Sequence, residues 1–251
     1  PMDSALVDEN GTLVLGMDYA PLGHSANEAG SGVFLSRDRG ATWIDRITGK
    51  IAPNVGESRT DGLAAGFHIN VVRLRDGRLM AMGRTGNIDG HITQSYSSDE
   101  GRTWTYRESP FPGIGSGQRL VLMRLSEGPL LLVSFTDAKR RRGMTLTDAG
   151  GREFTGYGMF ASLSFDDGDT WPVRRMLTIA DEPRAMDGGG NTGRFTMDAT
   201  HAEPAGYLAA TQTPDGVIHL ISSRLHYRFN LRWLQNPNLS PSRGASRVSE
   251  E

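Results

Sequence analysis

The chain has 251 residues, no cysteine, 27 Lys+Arg against 29 Asp+Glu and a formal net charge of −2. Zero cysteines exclude disulfides, thiolate metal sites and cysteine nucleophiles, and the near-neutral charge argues against a nucleic-acid partner. Glycine is abundant, at 32 residues, and no apolar run approaches the roughly 18 residues of a membrane span, so a turn-rich, all-β globular protein is expected.

Along the chain the first signal is Glu9-Asn10-Gly11, a glycine turn ahead of the apolar run Thr12-Leu13-Val14-Leu15. A second apolar strand, Gly32-Val33-Phe34-Leu35, leads into Ser36-Arg37-Asp38-Arg39-Gly40-Ala41-Thr42-Trp43. This SxDxGxTW pattern returns at Ser97–Trp104, after Ile92–Tyr96, and at Ser164–Trp171, after Met159–Leu163. Each copy is predicted to be a self-capped hairpin turn. Ser and Asp can bond nearby amides, Gly can take positive φ, and Trp anchors the returning strand.

The glycine-turn signal also recurs, at Asp76-Gly77, Glu127-Gly128 and Asp215-Gly216, and apolar segments such as Asn70–Leu74 and Leu120–Leu125 precede it. Strand, glycine turn, strand, strand, capped turn, strand makes one four-stranded unit of about 50 to 65 residues, the size of a propeller blade. Four units are predicted over residues 1–234, and the last lacks a capped turn. Residues 235–251 form a polar Pro/Ser/Arg tail expected to be disordered, and Lys139-Arg140-Arg141-Arg142 reads as a solvated loop tip.

The three SxDxGxTW copies are Asp-boxes, also called BNR repeats. Up to Leu234 the chain resembles the sialidase (neuraminidase) superfamily of six-bladed β-propellers. At the observed spacing six blades need about 380 residues, so the resemblance implies the later two-thirds of such a propeller, with N-terminal blades missing. In the family the Asp-boxes lie on outer turns between strands three and four, away from the ligand face. They read as turn locks, and the chemistry is sought elsewhere.

Sialidases use an arginine cluster for the sugar carboxylate, a Tyr nucleophile activated by a Glu, and an Asp acid. Arginine suits the first task because its planar fork meets a carboxylate bidentately. The resemblance places Arg84 at the end of His68–Arg84 as a substrate arginine and Tyr207 of Gly206-Tyr207-Leu208 at the nucleophile position. His68 falls where the family has its Glu. Arg119 and Arg142 compete for a further substrate arginine, with Arg152 close in register to Arg142. The remaining arginine and the acid would lie in the missing blades.

The expected ligand is a glycan or acidic sugar, with no cofactor, no metal, no nucleic acid and no membrane span. His201, His219 and His226 match no metal-binding spacing. The compartment stays open, an extracellular or periplasmic location requiring a signal peptide in the parent protein. Three readings follow: an exo-α-sialidase-type glycoside hydrolase, a glycan-binding propeller without catalysis, and a uronate polysaccharide lyase in which Tyr and His handle protons.

Overall fold

The computed structural model describes residues 2–19, 30–46, 64–137, 142–148, 151–178, 182–190 and 192–236. Residues 237–251 of the expected tail, and Lys139, Arg140 and Arg141 of the basic cluster, lie outside them.

Four antiparallel sheets follow one another along the described chain. Blade 1 holds β1 (Met2–Val7), β2 (Leu13–Tyr19), β3 (Gly30–Ser36) and β4 (Ile44–Asp45), in that spatial order. Blade 2 repeats the order with β5 (Phe67–Arg73), β6 (Leu79–Arg84), β7 (His91–Ser97) and β8 (Thr105–Pro112). The short strand β9 (Gln118–Arg119) then leads into blade 3. That blade has β10 (Val121–Arg124) and β11 (Leu130–Phe135), an inserted hairpin of β12 (Met144–Thr147) and β13 (Glu153–Gly156), then β14 (Met159–Ser164) and β15 (Val173–Met176).

A second hairpin, β16 (Arg184–Asp187) with β17 (Arg194–Met197), precedes β18 (Gly206–Tyr207). Blade 4 has three strands, β19 (Ala209–Gln212), β20 (Val217–Ile221) and β21 (His226–Asn230). It closes on the five-residue helix α1 (Leu231–Gln235), whose first turn is capped by Asn230 Oδ1 accepting the Trp233 amide at 2.8 Å. The fold is thus the expected β-propeller arrangement, with β5 packed against both β1 and β10. The two hairpins and the helix are additions that the repeat pattern did not announce.

The core lies between blades. Blades 1 and 2 bury Val14, Val33, Leu35, Ile69, Val71, Leu79 and Trp104 together, and a larger cluster joins blades 2, 3 and 4. In the larger cluster the Phe111 ring stacks on Phe160 at 5.6 Å and meets Trp171 edge-on at 5.2 Å. Such aromatic pairs add about 0.5–1.5 kcal/mol each beyond the area they bury.

The three Asp-boxes span the turns between the third and fourth strands of their blades, and their internal bonds are the same. In each, the Ser hydroxyl donates to the Asp carboxylate, the Gly amide donates to the Ser oxygen, and the Thr amide and hydroxyl both donate to the Asp, all between 2.5 and 2.9 Å. Thr42's hydroxyl and amide, with Ser36, hold the Asp38 carboxyl down at about 2.

The variable box positions bind the preceding blade. Glu100 pairs with Arg37 and Arg46 of blade 1, and Asp167 pairs with Arg75 of blade 2. Gly101 lies against Val33, and Gly168 against Met80. Trp104 and Trp171 are 1% and 4% exposed within these joints, whereas Trp43 of blade 1 is 43% exposed.

Candidate active site

Register places the candidate residues on the rim opposite the Asp-boxes. Phe67 at the start of β5 pairs with Arg84 at the end of β6, while Leu79 at the start of β6 pairs with Ser97, where the second box begins. His68 and Arg84 therefore share the far rim.

Tyr207 reaches the same rim from another part of the chain. Its strand β18 pairs in parallel with β9, setting Tyr207 beside Arg119 and Gly206 beside Gln118. Paired residues of adjacent strands project from the same face of a pleated sheet, so Arg119 and Tyr207 are side-by-side neighbours. Arg84 Nη1 donates to the Tyr207 hydroxyl at 2.8 Å and to the Gln118 carbonyl at 3.5 Å, and its guanidinium carbon lies 5.4 Å from the Tyr207 ring centroid. The His68 ring meets Tyr207 edge-on at 5.6 Å between centroids. Tyr207 is 39% exposed, so a ligand can reach this group from solvent.

His68 is held from beneath by a residue that sequence reasoning missed. Its φ is +50°, a left-handed conformation in a β-bulge where the β5–β6 register shifts between Phe67 and Asn70. Asp18 clamps that bulge: Oδ1 accepts the His68 amide at 2.7 Å and the Ser31 hydroxyl at 2.7 Å, while Oδ2 lies 2.6 Å from His68 Nδ1. A carboxylate only accepts, so Nδ1 carries a hydrogen toward Asp18.

A signal for Asp18 does exist in the repeat. Leu13 pairs with Ser36 of the first box and Leu79 with Ser97 of the second, which makes Asp18 the blade 1 counterpart of Arg84. In blade 3, where Leu130 pairs with Ser164, the same position is Phe135, fully buried in the core. That blade therefore offers no arginine there.

The structure thus brings Tyr207, Arg84, His68 and Arg119 together, with Asp18 behind His68. Arg142 stands apart. It is exposed at the foot of the β12–β13 hairpin, its amide bonded to the Asp137 carbonyl at 3.0 Å, and no hydrogen bond or ring contact among the described residues joins it to the other four. Arg152 pairs with Asp148 inside the same hairpin. Among the described residues no group of three or more His, Asp or Glu side chains could hold a metal ion, and no helix is long and apolar enough to cross a membrane.

Repeated four-stranded blades, locked on one rim by Asp-boxes and carrying an arginine–tyrosine–histidine cluster on the other, define a β-propeller of Asp-box type. The chain matches the family described as BNR repeat-like domain over residues 2–220, and it belongs to that family. Several solved structures resemble it. A protein of unknown function from Dyadobacter fermentans DSM 18053 shares 15% identity over 89% of this chain and 50% of that one, with a TM-score of 0.49. The intramolecular trans-sialidase from Ruminococcus gnavus, solved with oseltamivir carboxylate, shares 18% identity over 89% of this chain and 41% of that one, with a TM-score of 0.46. The α-L-arabinanase of Cellvibrio cellulosa shares 12% identity over 90% and 72%, also with a TM-score of 0.46. The chain spans half or less of the length of the first two. No curated protein matched it.

Proposed function

We propose that this propeller carries the site of a glycoside hydrolase of exo-α-sialidase type acting on an acidic sugar. The observation that carries the reading is the Tyr207 hydroxyl bonded to Arg84 at 2.8 Å, with the carboxylate-held His68 edge-on to the same ring. Arg84, with Arg119 beside it, supplies planar donors for the sugar carboxylate. Tyr207 attacks the anomeric carbon, and its proton passes to His68 Nε2, which takes the part that Glu plays in sialidases. Asp18 fixes the imidazole tautomer and stabilises the imidazolium formed. The proton for the departing oxygen comes from an acid outside these residues.

A second reading is favoured by His68 itself. An imidazole held by a carboxylate next to a tyrosine is also the base that β-elimination from a uronate requires, with Arg84 neutralising the sugar carboxylate.

One experiment separates them. The protein is incubated with a fluorogenic sialoside and, separately, with a uronate oligosaccharide, reading released fluorophore and the ultraviolet absorbance of an unsaturated product. Hydrolysis lost in Tyr207→Phe and in Arg84→Ala supports the first reading, and unsaturated product supports the second. Binding without turnover in all three proteins refutes both and leaves a lectin-like propeller.

A further inference from the structure

A cleft of about 600 Å³ opens where the β13–β14 joint faces β17, within the size range of small-molecule sites. Tyr157 lines it from the β13–β14 joint, Phe195 and Thr196 from β17, and Asp198, His201 and Pro204 from the segment running toward Tyr207. Neither Tyr157 nor Phe195 belongs to the core clusters or to the aromatics packed against them. Two large rings are thus spent on a concave surface.

The polar part of the cleft is built and fixed. Asp198 Oδ1 accepts the amides of Thr200 and His201, both at 2.8 Å, and lies 3.0 Å from His201 Nδ1. Burial alone would raise the Asp198 pKa, but the Thr200 amide, the His201 ring and the Thr200 hydroxyl outweigh it and hold the carboxyl at about 2. The His201 ring in turn stacks on Tyr157 at 5.1 Å and 13°. The cleft therefore offers preset aromatic surface, a permanent carboxylate and the Thr196 hydroxyl.

We propose that this cleft binds a neutral glycosyl unit, the neighbour of the acidic sugar in one oligosaccharide; that pairing rests on the function proposed above. A pyranose ring has an apolar C–H face to lay on Phe195 and Tyr157 and hydroxyl donors for Asp198. The Asp198 charge, on the cleft wall, turns away a second acidic sugar. Pro204 is three residues from Tyr207, at most roughly 10 Å of extended chain, so adjacent units of one glycan can occupy the two sites together.

Calorimetric titrations with lactose and, separately, with N-acetylneuraminic acid and glucuronic acid test this on the wild-type protein, Phe195→Ala, Thr196→Val and Arg84→Ala. Phe195→Ala is expected to weaken lactose binding about tenfold or more, the equivalent of about 1.4 kcal/mol, and Thr196→Val to weaken it less. Both should leave the acidic sugars bound as in wild type, with unchanged thermal midpoints. Wild-type protein that binds no lactose at millimolar concentration, or Phe195→Ala that binds it as wild type does, overturns the proposal. Acidic-sugar binding that survives Arg84→Ala overturns the function proposed above while the cleft stands.

Discussion

Replacing Gly101 by alanine tests whether the Asp-box turn is the part that docks one blade on the next. Gly101 has φ +85°, and a Cβ there would sit 2.2 Å from Val33 Cγ2 of blade 1. Two costs combine: about 1–2 kcal/mol for an L-residue in the left-handed region and about 1–3 kcal/mol for overpacking a buried joint, together about 2–5 kcal/mol. Gly77 is the internal control, with φ +88° and nothing within 4 Å of its added Cβ, so Gly77→Ala should show the first cost alone. At about 2–4 °C per kcal/mol for a domain of this size, Gly101→Ala is expected to melt about 4–20 °C below wild type and Gly77→Ala about 2–8 °C below. Val33→Ala removes the clashing methyl, so in that background Gly101→Ala should lose its excess, a coupling of about 1–3 kcal/mol measured by urea denaturation. Equal midpoints for Gly101→Ala and Gly77→Ala, or no coupling with Val33, would refute the docking argument.

Two further predictions concern the site and its support. Asp18→Asn sets an amide NH₂ against donors that now meet a carboxylate, at about 1–3 kcal/mol, and should shift the His68 hydrogen from Nδ1 toward Nε2; ¹⁵N chemical shifts of the His68 ring that match wild type would contradict it. Glu203 is buried beneath Gly206-Tyr207, and burial raises its carboxyl pKa above 4.5 although Tyr227, Ser222 and Thr192 donate to it. A carboxyl raised on folding stabilises the fold while protonated, and that stability is lost as pH rises from about 4.5 through the higher folded value. Glu203→Gln keeps acceptor and shape without the charge, so its urea midpoint should stay flat where wild type declines as pH rises above about 4.5; parallel curves would exclude the assignment.

The parts legible in the sequence are those whose cause is local. Ser, Asp, Gly and Thr at fixed offsets close a turn on themselves, so the blades and their succession of strands could be read from residue types, and the rim that carries the Asp-boxes from the family resemblance. His68 and Arg84 were reached only through the family resemblance, because no local motif encodes a contact with Tyr207 more than a hundred residues further along the chain. Asp18 was legible in principle, at the repeat position of Arg84, but a single Asp near a strand end carries no mark until the His68 bulge is seen. Hairpins β12–β13 and β16–β17 have only four residues in each strand, too few for a periodic signal. The two-residue parallel pair β9–β18 has no sequence signature, because its strands are far apart in the chain and joined only by backbone. Helix α1, at five residues, forms by packing against blade 3, where Arg175 covers Trp233 and donates to the carbonyls of Trp233 and Asn236.

That parallel pair gives blade 3 a neck. The chain leaves the rim after Arg119 and returns to it at Gly206, and both ends are tied side by side through the Gly206 amide on the Gly117 carbonyl and Gln118 Nε2 on the Pro204 carbonyl. The third blade and its two hairpins lie in the chain between the two strands of this clasp, while the blade itself packs against blades 2 and 4. Because hairpins β12–β13 and β16–β17 both lie between the two strands of that clasp, a change in their length is expected to leave the spacing of Tyr207 and Arg119 unaltered.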